Sequence, residues 1–364
     1  MKTTKTPNFY HDKPLFGLEI GHGSMKVMQI MPPSADGKQT TTPRLVGYGA
    51  TTFDTKAQKD GVMVKPEIAA KAALELFRNN LVGDITTKRV AIAIPAYRTF
   101  TRSLRLPKLN PKELDEAVQL EAEQYIPIAL DDLYLDYDVV GEIDGSMELF
   151  AVATPRNIVD SYLDLARILG LETVLIEPTL ESLGRLFSLD SQSDVPAIII
   201  NLGSVSSDIS IFDRQVLIAG TVQGGGEDFT RSIEKKLGVT SREASVIKTR
   251  YGLGVSKKQF EIKESLEPIL REIVKEIRRM VRYYSERYGS KRPIEQVITL
   301  GGGANMPGLD EYLTEALHLA VRHSDPWQYL SYKGLQPPHA SDRPMYSTAA
   351  GLSLVHPKEV FGND

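Results

Sequence analysis

The chain has no cysteine, which excludes disulfide bonds, thiolate metal sites and a cysteine nucleophile. It also lacks any run of about 18 apolar residues, so no transmembrane helix is predicted. Basic residues are not in excess: the net charge is -4, and no global field attracts nucleic acid or an anionic bilayer. The first fifteen residues lack the apolar core of a secretory signal. These absences favour a soluble cytoplasmic protein that does not bind nucleic acid.

The composition is that of a folded protein of more than one domain. The 364 residues are 41% hydrophobic and 25% charged, which excludes wholesale disorder and predicts two to three domains. Apolar periodicity alternates between strand and helix spacing, and this indicates a mixed α/β architecture. One long apolar stripe predicts a helix from about Glu267 to Tyr284.

Glycine-rich turns follow apolar strands at several points of the chain. The first, LEIGHGS, is explained by itself as a tight hairpin with positive φ at Gly21 and Gly23. The segments NLGSVSS and TLGGG repeat the pattern in the second half, and GGGE precedes a helix. Glycines let backbone N–H groups approach an anion, and small hydroxyls add donors. Two such hairpins facing each other would hold a polyphosphate from both sides.

The order of these motifs resembles that of the actin-like ATPase superfamily. Residues 17–27 resemble its first phosphate hairpin, 199–213 its second, 300–309 its adenosine motif and 174–183 its first connecting helix. The resemblance implies an α/β, actin-like (ribonuclease H-like) fold of two lobes, with ATP and Mg²⁺ bound between them.

A segment inserted in the first lobe narrows the resemblance. Residues 100–180, which include LEAEQYIPIALDDLYLDYDVV, and the closing AAGLSL resemble the type IV pilus assembly protein PilM family. Within the insert, Asn110, Pro111 and Glu113 predict the start of a helix that runs to about Tyr125. The expected units are the first lobe at 1–98, the α+β insert at 99–172, a connecting helix at 173–194, the second lobe at 195–345, and a closing helix and tail at 346–364.

The superfamily resemblance implies roles for individual residues. Glu19 and Asn201 would hold Mg²⁺ through water, and Glu177 would orient an attacking water. Met306 would lie against the purine. The implied nucleotide contacts are Gly21, His22, Gly23, Ser24, Lys26, Gly203, Ser204, Val205, Ser206, Gly224, Gly225, Gly226, Glu227, Lys248, Gly301, Gly302, Gly303 and Met306.

Some of these residues have plainer explanations or depart from the superfamily pattern. Glu177 is equally explained as an acid at a helix N-terminus, and Lys248 as a solvated helix lysine. Asn201 stands where the superfamily has Asp, so metal binding is expected to be weaker and hydrolysis slow or absent. Ser245 replaces the acid that often accompanies the lysine at 248, which puts ribose recognition partly in doubt.

The expected function is that of an ATP-binding scaffold in type IV pilus assembly. The PilM resemblance implies that a groove beside the insert, supplied by residues from about Leu104 to Tyr137, takes the N-terminal cytoplasmic peptide of a PilN-type inner-membrane protein. The chain would then meet other inner-membrane and motor components at the inner membrane face, reaching the membrane only through partners. Two alternatives stay open: an FtsA-like division scaffold, and a sugar-kinase-type phosphotransferase.

Overall fold

A computed structural model describes residues 13–32, 42–190, 193–289, 291–356 and 360. The predicted first-lobe segment 1–12 and most of the predicted tail beyond residue 356 lie outside the described residues. The strands are β1 (Phe16–Ile20), β2 (Ser24–Met31), β3 (Arg44–Thr52), β4 (Gln58–Lys59), β5 (Val62–Met63), β6 (Leu81–Gly83), β7 (Arg89–Ile94), β8 (Phe100–Pro107), β9 (Leu133–Ile143), β10 (Ser146–Pro155), β11 (Glu172–Pro178), β12 (Ala197–Leu202), β13 (Ser206–Asp213), β14 (Gln215–Gln223), β15 (Gln296–Leu300) and β16 (Ala320–His323).

Helices follow or separate these strands, as the periodicity predicts. They are α1 (Pro66–Asn79), α2 (Pro111–Tyr125), α3 (Arg156–Ile168), α4 (Thr179–Phe187), α5 (Gly226–Leu237), α6 (Ser241–Arg250), α7 (Gln259–Tyr288), α8 (Leu309–Leu317) and α9 (Ser347–Ser353).

Two sheets repeat one topology. The first has the order β11-β7-β1-β2-β3-β6 and the second the order β14-β13-β12-β15-β16. In each, a hairpin (β1 with β2, β12 with β13) continues into parallel strands on the other side. The central strands β7 and β12 are buried along their whole length, as expected for strands covered on both faces. The predicted two-lobed α/β fold is confirmed.

Each lobe has its own apolar core. In the first, Phe16 and Ile92 of the sheet pack with Leu76 of α1. In the second, the sheet packs against α5 and α7 through residues such as Phe229 and Ile277. Separate cores on either side leave a cleft between the lobes, into which the hairpin turns open.

The insert is a third, smaller unit with the sheet order β8-β10-β9. Its helix α2 begins as predicted: Asn110 Oδ1 accepts from the Glu113 backbone N–H, and the Glu113 carboxylate accepts from the Asn110 N–H. However, α3 packs in the first-lobe core through Ile158 and Tyr162. Helix α3, which the predicted insert at 99–172 includes, thus shares its core with the first lobe, and the sheet of the insert ends with β10 at Pro155.

Two other predicted segments differ from the structure. Residues 173–194 contain a strand, β11, before the helix α4, and β11 pairs with β7. Helix α7 begins at Gln259, eight residues before the predicted start, because the buried stripe extends back through Ile262 and Leu266. Pro268 lies inside this helix, where its missing N–H removes a single backbone hydrogen bond.

The end of the predicted second lobe packs on the first lobe. Trp327 and Tyr346 lie edge-on against Tyr48 of β3, with ring centroids 5.3 Å away in each case. The Leu45 N–H donates to the Ser331 carbonyl at 2.9 Å. Aromatic pairs of this geometry add to the burial they provide. Residues 326–346 thus complete the first-lobe core, which the predicted boundary at 345 does not anticipate.

Helices α4 and α9 cross between the two lobes at very close range. A Cβ on Gly351 of α9 would lie 1.9 Å from the Ser182 carbonyl oxygen of α4. On the other side of α9, a Cβ on Gly17 of β1 would lie 2.2 Å from the Ala349 carbonyl oxygen. Only glycine permits either approach, so α9 is held against both α4 and β1 by backbone contact.

Replacing Gly351 with alanine tests this crossing. The added methyl group clashes with a backbone carbonyl that cannot move independently, so Gly351→Ala is expected to lower the free energy of unfolding by about 3 kcal/mol. Urea unfolding followed by the fluorescence of Trp327, the only tryptophan, measures the change. The control is Gly141→Ala in β9, whose Cβ would meet nothing within 4 Å. Equal stability of the two variants would contradict the close crossing.

Candidate functional site

Two hairpin turns of matching geometry form the centre of the cleft. In the first, the Gly21 N–H donates to the Ser24 carbonyl at 2.8 Å. In the second, the Gly203 N–H donates to the Ser206 carbonyl at 2.9 Å. Both turns lie where the lobes face each other, around a cavity of about 420 Å³. The structure thus brings the two predicted phosphate hairpins to one place.

The glycines of the first turn do not have the positive φ that an isolated hairpin suggests. Neither Gly21 nor Gly23 is in the left-handed region. Gly23 is instead close to a neighbouring side chain, since a Cβ there would lie 2.9 Å from Thr55 Cγ2. Close packing, and not turn handedness, explains this glycine.

Most of the predicted contact residues line the cavity. From the first hairpin these are Glu19, Gly21, His22, Ser24 and Lys26. From the second lobe they are Asn201, Gly203, Ser204, Val205, Ser206, Gly226, Glu227, Lys248, Gly301, Gly302 and Gly303. Gly23, Gly224, Gly225, Glu177 and Met306 are not part of the lining.

Met306 and Gly225 have structural roles instead. Met306, for which contact with a purine is predicted, is buried in the second-lobe core and does not line the cavity. A Cβ on Gly225 would lie 2.5 Å from the Gly203 carbonyl oxygen. This absence of a side chain allows the Gly226 N–H to donate to that same oxygen at 2.9 Å, which fixes the start of α5 against the hairpin.

The predicted water-orienting acid is held in an ion pair. Both Glu177 carboxylate oxygens accept from Arg185, at 2.9 and 2.8 Å, and both side chains are largely buried. Arg185 also donates to the Gly351 carbonyl at 3.1 Å. The carboxylate is thus held by a paired guanidinium, and Glu177 is not among the residues that line the cavity. Glu177 therefore anchors the crossing of α4 and α9.

The cleft contains a buried acid that the sequence did not single out, Asp208. It pairs across the second hairpin with Asn201. Thr221 and Thr179 donate hydroxyl protons to it, at 2.9 and 3.2 Å. Burial raises the pKa of the Asp208 carboxyl to about 6, and the hydrogen bonds from Thr221, Thr179, Asn201 and Ser206 oppose this rise.

A signal for Asp208 exists in the sequence, since residues 201 and 208 lie symmetrically about the turn at 203–206. The hairpin register therefore puts the two side by side. The register also gives the neutral Asn201 side chain a role, because its amide donates a hydrogen bond to the Asp208 carboxylate.

Glu19 and Lys26 are the matching cross-strand pair of the first hairpin. Lys26 Nζ lies 3.1 Å from Glu19 Oε1. The other carboxylate oxygen, Oε2, is buried and accepts no hydrogen bond from the described residues. A buried oxygen of this kind normally has a partner, so this position is suited to a further donor or a cation.

Lys248 reaches the cleft from α6. Its ammonium group donates to the Gly226 carbonyl at 2.6 Å and to Thr230 Oγ1 at 2.8 Å. Burial lowers the pKa of Lys248, whereas the charge of Glu227 opposes this change. The side chain is thus positioned by α5, which excludes the alternative of a solvated helix lysine.

A comparison with protein families decides the relationship. A family model for type IV pilus assembly protein PilM matches residues 19–356. The chain belongs to the PilM family. Among the described residues of this PilM-family chain, no helix is both long and apolar enough to cross a membrane.

Solved structures share the fold. A PilM-PilN type IV pilus biogenesis complex is similar at TM-score 0.78 and 22% identity, covering 94% of this chain and 98% of that one. The ethanolamine utilization protein EutJ from Carboxydothermus hydrogenoformans matches at TM-score 0.53 and 14% identity, covering 94% and 89%. MreB 5 of Spiroplasma citri bound to AMPPNP matches at TM-score 0.52 and 13% identity, covering 93% and 94%.

The buried Asp208 makes stability depend on pH. Because its pKa in the folded state exceeds its ordinary value of 3.8, the folded state binds this proton more tightly than the unfolded state. Stability from this group is therefore lost as the pH rises from about 4 to about 6. Asp208→Asn removes this titration, so between pH 4 and pH 7.5 the wild type should lose about 2 kcal/mol more free energy of unfolding than the variant.

Urea unfolding of both proteins at the two pH values measures the effect. Thr179→Val keeps the carboxyl group and removes one donor that lowers its pKa, so it should steepen the loss of stability. Parallel pH profiles for the wild type and Asp208→Asn would contradict this account.

Proposed function

We propose that this chain is an ATP-binding, actin-like scaffold of type IV pilus assembly that holds the N-terminal cytoplasmic peptide of a PilN-type inner-membrane protein. Membership of the PilM family supports the pilus role. The observation that carries the nucleotide site is the convergence of two matching glycine and serine turns on one cavity between the lobes. This geometry offers backbone and hydroxyl donors from both sides, as a polyphosphate requires.

The residues that line the cavity are the proposed contacts of the nucleotide. Ser24 and Ser206 stand at the ends of the two turns, while Lys26 and Lys248 supply positive charge. Gly302 lines the cavity and faces open space, since a Cβ there would meet nothing within 4 Å. MreB 5 of Spiroplasma citri, which shares this fold, is bound to AMPPNP, and this supports nucleotide binding by the fold.

The donor set of the cleft fits Mg²⁺ held together with a triphosphate. No cluster of three metal-ligating side chains occurs among the described residues. Glu19 and Asp208, with the amide of Asn201, nevertheless line the cavity, and one Glu19 oxygen has no partner there. Mg²⁺ usually takes one or two carboxylates and completes its shell with water and phosphate. Asp208 would attract the cation only when ionised, so binding should strengthen above about pH 6.

ATP would serve as a structural or switching ligand more than as a fuel. Glu177 is bound by Arg185, and Asn201 carries no charge, so the cleft lacks a free carboxylate to orient water at those positions. Slow or absent hydrolysis follows from this arrangement. A bound triphosphate would still stabilise one angle between the lobes through contacts from both hairpins.

The partner peptide is proposed to bind beside the insert. The similar structure is a PilM-PilN complex, and the insert residues from about Leu104 to Tyr137 of this chain would supply the groove. Extended peptides bind such grooves through backbone hydrogen bonds and side-chain pockets. The partner, with other inner-membrane and motor components, would hold the chain at the cytoplasmic face of the membrane.

The insert also contacts the second lobe, which provides a route from nucleotide to peptide. Ser103 of β8 donates to the Leu217 carbonyl of β14 at 2.5 Å, and Thr101 donates to Ala219 at 3.4 Å. Thr221, further along β14, donates to Asp208 in the cleft. A movement of the second lobe on nucleotide binding would therefore shift the surface on which the insert rests.

The substitution Gly302→Val tests the nucleotide site. The side chain enters open cleft space without a clash, so thermal stability should be retained while the affinity for ATP falls at least about 100-fold through steric exclusion. Calorimetry with ATP and Mg²⁺ measures binding. Gly141→Val is the matched control, because its side chain also enters open space, away from the cleft. If the folded wild type gave no heat with any purine triphosphate, the site would be excluded.

Peptide binding is tested by fluorescence anisotropy with the labelled N-terminal peptide of the PilN-type protein of the same genome. The wild type should bind it, with an affinity that changes at least about fivefold when ATP and Mg²⁺ are added. Gly302→Val should bind the peptide without this change, and a scrambled peptide should not bind. Failure of the native peptide to bind would exclude the partner, whereas equal affinity with and without ATP would exclude only the coupling.

A further inference from the structure

The insert is joined to the first lobe by the chain, but one of its faces packs on the second lobe. Its connections to the first lobe are short: residues 95–99 lead from β7 into β8, and β10 continues directly into α3 at Pro155. The central strand of the insert sheet, β10, lies between two layers of the protein. Its alternate side chains therefore show what each face of the insert contacts.

One face of β10 forms the core of the insert itself. Leu149 and Ala151 are completely buried. They belong to one apolar cluster with Leu114 and Val118 of α2. These two side chains of β10 lie on the same face because they are two residues apart on a strand. This face closes the insert as a small unit with its own helix.

The opposite face of β10 packs on the second lobe. Phe150 is 4% exposed, and it belongs to an apolar cluster with Ile199 of β12 and Phe212 of β13. Phe187 of α4 is part of the same cluster, with its ring 5.1 Å from that of Phe212. Separating the insert from the second lobe would expose apolar surface on both, which resists their separation.

A buried ion pair adds to this contact. Glu148 of β10 is 1% exposed, and its carboxylate accepts from Arg287 of α7 at 2.7 Å. Arg105 of β8 donates to the same carboxylate, and it also donates to the Arg287 carbonyl at 3.4 Å. Glu148 is thus held from both units. Pulling them apart would leave a buried carboxylate with one of its two cations, which is unfavourable.

Strand β8 turns the same face to the second lobe. Ser103 is the cross-strand partner of Phe150, and Arg105 is the cross-strand partner of Glu148. Ser103 donates to the Leu217 carbonyl of β14 at 2.5 Å. Because cross-strand partners lie on the same face of a sheet, the apolar cluster, the ion pair and the hydroxyl bond form one surface of contact.

The contacts of the insert with α3 of the first lobe are of a different kind. Tyr134 donates to Asp160 of α3 at 3.0 Å, and both side chains are exposed. Arg156, the first residue of α3, is also exposed and donates to the Asp131 carbonyl at 2.7 Å. Exposed polar contacts exchange for contacts with water at small cost. The insert is therefore held more firmly by the second lobe than by α3.

The groove between α2 and β9 lies at the joint between the insert and the first lobe. It is a cavity of about 420 Å³, and its wall includes Asp131, Leu133 and Tyr137 of the insert together with Arg156 of α3. Helix α3 packs in the first-lobe core through Ile158. The groove thus has walls from two bodies. It also lies in the segment that is proposed to take the partner peptide.

We propose that the insert moves with the second lobe as one body, so that a change in the angle between the lobes changes the width of this groove. The moving joints are residues 95–99 and Pro155. Ala96 and Tyr97 of the first joint line the cavity between the lobes, so this joint lies beside the proposed nucleotide. The regulation of peptide binding rests on the proposed function, whereas the attachment of the insert to the second lobe does not.

Distances between spin labels test the attachment on the full chain. The chain has no cysteine, so labels react only with introduced cysteines. The pair K112C/K275C measures the distance from α2 of the insert to α7 of the second lobe. The pair K112C/K71C measures the distance from α2 to α1 of the first lobe. All three lysines are exposed.

Without nucleotide, the distance distribution of the second-lobe pair should be narrower than that of the first-lobe pair, which spans the joint. ATP and Mg²⁺ should shift the first-lobe pair by more than about 2 Å and the second-lobe pair by less than about 1 Å. Equal widths, or a larger shift of the second-lobe pair, overturn the proposal. A constant first-lobe distance while calorimetry shows ATP binding overturns the regulation. The comparison without nucleotide is decisive for the attachment even if the nucleotide site fails.

The substitution Arg287→Gln tests the part of the ion pair. It should broaden the distribution of the second-lobe pair and reduce the effect of ATP on peptide affinity at least about threefold, because the insert then follows the second lobe less closely. Arg282→Gln, an exposed arginine on the same helix, is the matched control and should change neither. Both variants are checked for an unchanged melting temperature. Equal distributions in the two variants would exclude the ion pair from the attachment.

Discussion

The backbone contact between α4 and α9 is the constraint on which the cleft depends. Helix α9 packs on β1, β2 and β7 of the first lobe, and α4 packs on β12, β13 and β14 of the second. Gly351 lets the two helices touch, and the Glu177–Arg185 pair ties their ends by its bond to the Gly351 carbonyl. Since each hairpin grows from a strand in contact with this pair, the distance between the two turns is set by the crossing.

The electrostatics of the cleft rest on two acids placed on different strands of equivalent hairpins. Glu19 precedes its turn and is balanced by a lysine, whereas Asp208 follows its turn and is surrounded by neutral donors. Burial raises the pKa of Asp208, and the hydroxyl and amide donors limit this rise without cancelling the charge of the ionised carboxylate. The loss of an acid at Asn201 is therefore partly offset by the residue beside it, and the cleft retains a negative charge from each lobe.

The features that could be predicted from the sequence depend on residues close together in the chain. The features that could not be predicted depend on contacts between distant residues. The start of α2 follows from Asn110 and Glu113, three residues apart, and the hairpins follow from their glycines and strands. The partner of Glu177 lies across a strand and a helix, so no spacing rule reveals that its carboxylate is engaged. Pro268 is a sound signal for a helix end, yet tertiary burial of Leu266 overrides it.

The site residues that could be predicted from the sequence were also those set by local patterns. Motif order identified the residues of the two turns that line the cavity, because glycine and serine spacing is a local property. Met306 follows a glycine turn as well, but its side chain is buried in the second-lobe core, and spacing alone does not reveal that burial. Asp208 was missed although it is the cross-strand neighbour of Asn201, a relation that requires the register as well as the motif.

The return of residues 326–353 to the first lobe has a consequence for synthesis on the ribosome. Trp327, Tyr346 and Ala349 fill a core whose other walls, such as Tyr48, emerge some 280 residues earlier, at a lag of tens of seconds at common elongation rates. During that interval the nascent first lobe exposes an apolar surface. Residues 326–353 cover this surface only after the second lobe has been synthesised. Premature termination after the second sheet would thus leave an incomplete, aggregation-prone product, and chaperone demand should be highest in that window.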